Sequence, residues 1–259
     1  MPESLSDYLD FARKVALVAG QETLRYFQHD LQPEIKADGS PVTMADRSAE
    51  HLIRTAIEER FPGHAILGEE FGEQEGSGST THRWIIDPID GTKSFISGVP
   101  LYAVLIGLEI EGRVEVGVAN FPALGEMVSA ASGLGCWWNS KPARVSAKTS
   151  LSEAIVSFTD YGSFAAHGSE EAFIRLARRS WYRPGWGDAY GYMLAATGRI
   201  EVMLDPIMAV WDCAPFPPIF REAGGYFGDW QGNETIYTTR SVATSLVLLP
   251  EVLAALKGD

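Results

Sequence analysis

The sequence predicts a mixed α/β protein of two packed subdomains, an α+β unit over residues 1–145 followed by an α/β unit over residues 146–259. Three features of the chain predict this. Residues 5–60 contain two stretches with apolar residues at helical spacing, residues 84–131 contain short apolar runs separated by turns, and strand-like and helical segments alternate after Val145. A chain of 259 residues is long enough to bury a substantial core.

Each helix is predicted from apolar residues that recur every three or four positions. The expected helices cover residues 5–27, 45–60, 170–179, 188–197 and 209–223. Ser4 followed by Asp7 is a plausible start for the first helix, Phe61-Pro62-Gly63 stops the second, and Gly224-Gly225 ends the last.

Each strand is predicted from a short apolar run bounded by turn residues. The expected strands cover residues 84–86, 101–110, 114–120, 126–131, 155–159 and 200–204. Glu111-Gly112-Arg113 indicates a turn that joins the second and third of these strands into a hairpin. Residues 36–43 and 75–80 are expected to be loops, the second of them exposed and mobile because it is rich in Gly and Ser.

The composition argues against several classes of protein. With 46% hydrophobic and 21% charged residues the chain is globular rather than disordered, and no apolar run is long enough to cross a membrane. The N-terminus lacks the basic start and apolar stretch of a signal peptide, so a cytoplasmic protein is expected. A net charge of −13 argues against a nucleic-acid or anionic-membrane partner, and Cys136 and Cys213 are expected to be reduced and structural.

The most informative segment covers residues 84–92, Trp-Ile-Ile-Asp-Pro-Ile-Asp-Gly-Thr. A strand that ends at Asp87, with a proline exit and a glycine turn, would let Asp87 and Asp90 converge on a hard divalent cation. The N–H groups of Gly91 and Thr92 would then start a helix and donate to a phosphate, and metal ions would supply the positive charge that a phosphate site needs in so acidic a chain. Taken alone, the segment is equally compatible with an ordinary turn and a helix cap. It is not the Asp-x-Asp-Gly-Thr motif of haloacid-dehalogenase-type phosphatases, because a proline stands two positions before Asp90.

Two further segments place acids next to apolar residues. Glu69 and Glu70 follow the apolar pair Ile66-Leu67, which suggests acids at the end of a strand, with a solvated acidic loop as the alternative. Asp212 lies inside the apolar run 207–220, where a metal ligand explains its place better than a helix cap does. The 5 histidines show no metal-ligand or catalytic spacing.

Taken together, the motifs resemble the ordered signature of the inositol monophosphatase superfamily. The matching segments are Gly-Glu-Glu at 68–70, Asp-Pro-Ile-Asp-Gly-Thr at 87–92, Trp-Asp at 211–212, Glu-Ala-Gly-Gly at 222–225 and an upstream loop at 36–46. The resemblance covers essentially the whole chain. It implies a layered αβαβα fold of the inositol monophosphatase and fructose-1,6-bisphosphatase type, a phosphatase that uses two or three Mg²⁺ ions, and a homodimer.

Carried over position by position, the resemblance also implies roles for individual residues. The implied metal ligands are Glu69, Asp87, Asp90, Asp212 and the backbone carbonyl of Ile89. Thr92 is implied to pair with Asp46 and, together with Glu69, to orient the attacking water, which makes these three the catalytic residues.

The sequence after the Gly-Thr pair indicates one branch of the superfamily. Lys-Ser-Phe-Ile at 93–96 differs from the Thr-Asn-Phe of inositol monophosphatases and resembles histidinol-phosphate phosphatases, although nucleotide-type phosphatases also carry Gly-Thr-Lys. Gly187 and Asp188 begin a Gly-Asp-x-Tyr segment similar to that of the histidinol-phosphate enzymes, and Asp188 would face the ammonium or imidazole of the substrate. Asp205 stands where the family usually has a substrate-contacting Glu, and Arg183 is a candidate at the substrate rim. Both assignments have an alternative that is nearly as good. Asp188 could simply begin a helix, and Arg183 could be an ordinary surface cation.

The leading hypothesis is hydrolysis of histidinol phosphate, a small phosphorylated metabolite of histidine biosynthesis, to histidinol and phosphate. The first alternative is a myo-inositol monophosphatase or a broad sugar-phosphate phosphatase on the same scaffold. The second is a non-catalytic binding protein, which is disfavoured because every expected ligand position carries an acid.

Overall fold

A computed structural model of the chain describes residues 3–29, 33–36, 41–77 and 81–258. The helices are α1 (Leu5–Leu24), α2 (Met44–Arg60), α3 (Thr92–Ile96), α4 (Tyr161–Ala166), α5 (Glu170–Arg179), α6 (Asp188–Ala196), α7 (Val210–Cys213), α8 (Phe216–Ala223) and α9 (Leu249–Lys257). The strands are β1 (Glu34–Ile35), β2 (Pro41–Val42), β3 (Ala65–Gly68), β4 (Gly72–Gln74), β5 (His82–Asp90), β6 (Ala103–Ile110), β7 (Arg113–Phe121), β8 (Glu126–Ala131), β9 (Cys136–Trp138), β10 (Lys141–Pro142), β11 (Val156–Ser157), β12 (Val202–Asp205), β13 (Gly225–Gly228) and β14 (Ser241–Ser245). Parts of the expected loops 36–43 and 75–80 lie outside the described residues.

The strands form two large sheets and one short hairpin. The 8-stranded sheet has the order β10-β9-β8-β7-β6-β5-β3-β4, and all neighbours are antiparallel except β3 and β5. The 4-stranded sheet has the order β11-β12-β14-β13, with β11 parallel to β12. The larger sheet ends at Pro142 and the smaller one begins at Val156, on either side of the boundary expected after residue 145. The division into two subdomains stays a prediction.

Apolar side chains stack these elements into five layers. Along β5 alternate residues face opposite ways: Trp84 and Ile86 pack with α1 and α2, whereas Ile85 packs with α6 and α8. The same inner layer of helices contacts the smaller sheet through residues such as Met203, and α5 and α9 cover the outer face of that sheet. The order helices, sheet, helices, sheet, helices confirms the expected αβαβα fold.

Most of the expected elements are confirmed, and local contacts explain their bounds. Ser4 and Asp7 form a capping box at the start of α1, and residues 170–179 and 126–131 are the predicted helix and strand. The hairpin of β6 and β7 is present. Among the described helices, none has the length and hydropathy that a membrane crossing requires.

Several sequence predictions were wrong in their bounds; the strand expected over residues 155–159, for example, covers only Val156–Ser157. Helix α1 stops at Leu24, three residues before the expected end. The helix expected over residues 209–223 is divided into α7 and α8, because the prolines at 215, 217 and 218 cannot donate the backbone hydrogen bonds of a continuous helix. Strand β5 does not end at Asp87 but continues through Pro88 to Asp90, with a register shift against β6 between the two acids. Proline is tolerated inside a strand at such a bulge.

Candidate metal centre

Three carboxylates, two from one strand and one from a distant helix, meet at the carboxyl end of β5. Asp87 and Asp90 belong to β5 and Asp212 to α7, and one oxygen of each lies within 4.8 Å of the others. In a regular strand, side chains three positions apart point to opposite faces of the sheet. The register shift between Asp87 and Asp90 changes this alternation, so that both carboxylates reach the same site.

The electrostatics of this acid cluster (Asp87, Asp90 and Asp212) favour a bound cation. Burial raises the pKa of Asp87 well above its ordinary value, and the charges of Glu69, Asp90 and Asp212 raise it further. Burial, followed by repulsion from Asp188 and Asp212, likewise raises the pKa of Asp90. Burial raises the pKa of Asp212 to about 7. The negative charges of these acids oppose one another's ionisation. A hard divalent cation bound by the carboxylate oxygens would therefore stabilise the ionised cluster.

Glu69 stands beside the cluster because β3 runs parallel to β5. It follows Gly68, the last residue of β3, and its N–H donates to the carbonyl of Ile86 at 3.3 Å. The expectation of acids at the end of a strand is therefore confirmed. Glu69 Oε1 and Glu70 Oε1 both accept from Lys36 Nζ, at 2.8 Å and 2.6 Å. This places the ammonium of Lys36 next to the acids.

A buried carboxylate holds the turn that carries Glu69. The oxygens of Glu50 accept from the N–H groups of Glu70 at 2.7 Å and Phe71 at 3.1 Å, and Arg54 Nε donates to Glu50 at 2.8 Å. A Cβ at Gly68 would lie 2.1 Å from Glu50 Oε1, so a larger residue here would displace the Glu50 carboxylate from these hydrogen bonds. Sequence reasoning did not identify Glu50, because a Glu on an amphipathic helix usually faces solvent.

Asp46 and Thr92 do not form the hydrogen bond that was expected. Asp46 Oδ2 accepts from the N–H of Thr43 at 2.8 Å and from its hydroxyl at 2.6 Å, which caps α2, and the hydroxyl of Thr92 donates to the carbonyl of Ile89 at 3.1 Å. Asp46 Oδ1 is buried without a hydrogen-bond partner among the described residues. Burial, and to a smaller degree the charge of Glu69, raises the pKa of Asp46. A buried carboxylate oxygen without a partner is the kind of group that an ordered water or an ion satisfies.

Asp188 lies next to the acid cluster. The N–H of Ala189 donates to Asp90 Oδ2 at 2.6 Å, and a Cβ at Gly91 would lie 3.1 Å from Asp188 Oδ2. Gly91 has a φ of 80°, a left-handed conformation that favours glycine and starts α3. Gly187 precedes Asp188 as the N-cap of α6. The structure thus brings Gly91, Gly187 and Asp188 together with the predicted metal ligands.

Among the described residues, no direct hydrogen bond joins Asp205 or Arg183 to this group. The side chain of Asp205 is only 3% exposed, and its oxygens accept from Thr159 N at 2.9 Å and from the Tyr192 hydroxyl at 3.0 Å. Arg183 is exposed and donates to the carbonyl of Ser180 at 2.6 Å. Substrate contact by these two residues stays a prediction that their contacts do not support.

Known proteins are similar to this chain in sequence and in fold over nearly its whole length. A model described as the inositol monophosphatase family matches residues 4–257. A histidinol-phosphatase from Chlorobaculum parvum is 48% identical over 230 residues, 88% of each chain, and one from Mycobacterium tuberculosis is 39% identical over 243 residues, 91% of this chain and 92% of its own. The solved structure of an inositol monophosphatase from Zymomonas mobilis superposes with a TM-score of 0.88 at 28% identity and covers 99% of this chain and 100% of its own.

Proposed function

The chain belongs to the inositol monophosphatase family and is a phosphatase, and from that premise we propose that it hydrolyses histidinol phosphate to histidinol and inorganic phosphate with the aid of Mg²⁺. Enzymes of this family depend on metal ions and act on small phosphorylated substrates. The ion and the substrate are our proposal.

The residues around β5 fit a Mg²⁺ centre. The proposed ligands are Glu69, Asp87, Asp90, Asp212 and the carbonyl of Ile89. Carboxylate and carbonyl oxygens are the ligands that Mg²⁺ takes in proteins, and a dense group of acids suits two or three ions. When bound, such ions neutralise phosphate oxygens and lower the pKa of a water that attacks phosphorus.

The remaining groups of the chain would hold the phosphate and the water. The N–H groups of Gly91 and Thr92 begin α3 beside the cluster and would donate to phosphate oxygens. The unpartnered Oδ1 of Asp46 supports a role in orienting water, together with Glu69 and the hydroxyl of Thr92. In these roles the residues position the phosphate and the water and form no covalent bond to the substrate, as is usual in phosphoryl transfer.

The observation that carries the choice of substrate is the place of Asp188. Its carboxylate lies against Gly91, next to the site where the phosphate would bind, and an anion there suits an alcohol that carries an ammonium and an imidazole. Myo-inositol offers only hydroxyl groups to the same carboxylate. The identity of 48% and 39% to two histidinol-phosphatases supports the same choice.

Three further features stay predictions. A homodimeric assembly is implied by the family resemblance, a cytoplasmic protein is expected from the N-terminal sequence, and the division of the chain after residue 145 is expected from the change of pattern there.

The test is phosphate release from histidinol phosphate and myo-inositol 1-phosphate, measured side by side with Mg²⁺ and with EDTA. We expect release that depends on Mg²⁺ and strongly favours histidinol phosphate. Equal turnover of both esters would refute the substrate assignment but leave the metal chemistry in place. No release from either ester at saturating Mg²⁺ would contradict both.

A further inference from the structure

We propose that Thr159 is a positioning residue, which fixes the carboxylate of Asp188 for recognition of a cationic group on the substrate, and that Asp205 anchors Thr159 instead of touching the substrate. This inference rests on the proposed function. It gives roles to the exposed Thr159 and the buried Asp205, which the metal chemistry does not use.

Asp188 has a backbone conformation that needs support from its neighbours. Its φ is 52°, in the left-handed region that non-glycine residues seldom adopt. Two hydrogen bonds hold the start of α6 there: Asp188 N donates to Thr159 Oγ1 at 2.7 Å, and Ala189 N donates to Asp90 Oδ2 at 2.6 Å. These bonds satisfy the first two N–H groups of the helix, which have no partner within it. Since the φ of Asp188 sets the direction of its side chain, the bond to Thr159 also aims the carboxylate.

Thr159 is itself held by Asp205. The N–H of Thr159 donates to Asp205 Oδ1 at 2.9 Å, and the hydroxyl of Thr159 helps to lower the pKa of that carboxyl, against the larger effect of burial. A threonine hydroxyl has one proton and two lone pairs. A lone pair of Oγ1 is therefore available to accept from Asp188 N, whichever group takes the hydroxyl proton. Tyr192 donates to the other oxygen of Asp205 at 3.0 Å, which completes the buried anchor.

The segment that leads into α6, residues 184–188, is fixed at a second point by the end of β11. Ser157 Oγ, two residues before Thr159, accepts from Trp186 N at 3.0 Å and donates to the carbonyl of Pro184 at 2.9 Å. Between these two points residues 184–188 pass very close to the chain that follows β11, since a Cβ at Gly187 would lie 2.4 Å from the Cα of Thr159. The glycine therefore permits the approach that brings Asp188 within reach of Thr159.

The resulting position of Asp188 suits recognition of a cation. One oxygen lies against the backbone of Gly91, and Lys93 and Ser94 of α3 also interact with the carboxylate. A substrate whose phosphate is bound at the start of α3 would bring its alcohol portion to this acid. A small change in the direction of Asp188 would weaken a contact with a charged group more than the binding of a neutral alcohol, because a charge-assisted hydrogen bond depends strongly on geometry.

The test compares Thr159→Val, which removes the hydroxyl and keeps the shape, with Thr159→Ser, which keeps the hydroxyl. Each variant is assayed as the full chain with Mg²⁺ on histidinol phosphate and on glycerol 2-phosphate, a neutral alcohol ester. We expect Thr159→Val to lower kcat/KM about tenfold on histidinol phosphate, mainly through KM, and less than about twofold on glycerol 2-phosphate. Thr159→Ser should restore the selectivity. Equal losses on both esters would assign Thr159 a structural role and overturn the proposal.

A second readout separates this proposal from the proposed function. Amide hydrogen exchange at Asp188 reports the bond to Thr159 whatever the substrate is. We expect faster exchange in Thr159→Val and wild-type protection in Thr159→Ser; unchanged protection in Thr159→Val would overturn the positioning role. If the wild-type enzyme does not favour histidinol phosphate, the proposed function and the recognition of a cation fail together, and the exchange rates still decide whether Thr159 positions Asp188.

Discussion

Replacing Asp90 by Asn separates the two effects of the acid cluster, metal binding and mutual repulsion. Asn has nearly the same shape and still offers an oxygen to the N–H of Ala189, which donates to Asp90 Oδ2 at 2.6 Å. The substitution therefore removes one negative charge without opening a cavity. We expect Asp90→Asn to lose most of its phosphatase activity while it stays folded.

The magnitudes follow from the spacing of the acids. One oxygen of each of Asp87, Asp90 and Asp212 lies within 4.8 Å of the others. At that spacing a pair of unit charges interacts by roughly 3–4 kcal/mol at an effective dielectric constant of about 20. Loss of one anionic ligand should raise the half-saturating Mg²⁺ concentration by roughly 100-fold or more. Without metal, the same loss relieves repulsion, so Asp90→Asn in EDTA should unfold at the wild-type temperature or a few degrees above it, at about 2–4 °C per kcal/mol.

The assay pairs a Mg²⁺ titration of phosphate release with thermal unfolding in EDTA. Asp10→Asn is the matched control: it removes the same charge from an exposed position on α1, where Asp10 lies 3.6 Å from Arg13, and it should change neither result. A variant Asp90→Asn with wild-type activity would refute the assignment of Asp90 as a ligand. A marked loss of stability in EDTA would instead give Asp90 a structural role.

Three other predictions concern the same site. Thr92→Ala removes the hydroxyl that donates to the carbonyl of Ile89. It should lower kcat at least about tenfold with little change in KM, because water positioning acts mainly in the transition state. Recovery of kcat in Thr92→Ser would support this role, and a change in KM alone would contradict it. Asp188→Ala should weaken kcat/KM on histidinol phosphate about tenfold more than on myo-inositol 1-phosphate, and equal losses on the two esters would remove Asp188 from the substrate site. Burial raises the pKa of both Asp205 and Asp212 to about 7, so that in EDTA the folded protein keeps protons that the unfolded chain releases near pH 4. The contribution of these two acids to stability should then fall as pH rises from about 4 to about 7 and stay level above that, and a melting temperature in EDTA that rises from about pH 4 to about pH 7 would contradict the buried, protonated state.

The sequence predicted the features of the structure that depend on local patterns. Helical spacing identified α2 and α5, and the acids at 69, 87, 90 and 212 stood out because charged groups beside apolar runs need partners. The order of those motifs along the chain resembled that of the inositol monophosphatase superfamily, and this resemblance implied the layered fold. Each of these signals is carried by neighbouring residues, which a reader of the sequence can see together.

Features that depend on tertiary contacts were missed. The bulge that turns Asp87 and Asp90 to one site arises from pairing with β6, which the local sequence does not specify. β13 and β14 were not expected, because Gly-Tyr-Phe-Gly and Ser-Val-Ala-Thr-Ser lack a strong strand pattern and are buried mainly by their neighbours. Thr159 gave no signal at all, since its role depends on a residue far along the chain, Asp188.

The most direct test of the metal centre is anomalous X-ray diffraction from crystals that contain Mn²⁺, a divalent ion that takes the same oxygen ligands as Mg²⁺. We expect anomalous peaks within bonding distance of Asp87, Asp90 and Asp212. Crystals grown at saturating Mn²⁺ that show no peak at these carboxylates, or peaks only elsewhere on the protein, would contradict the proposed metal centre.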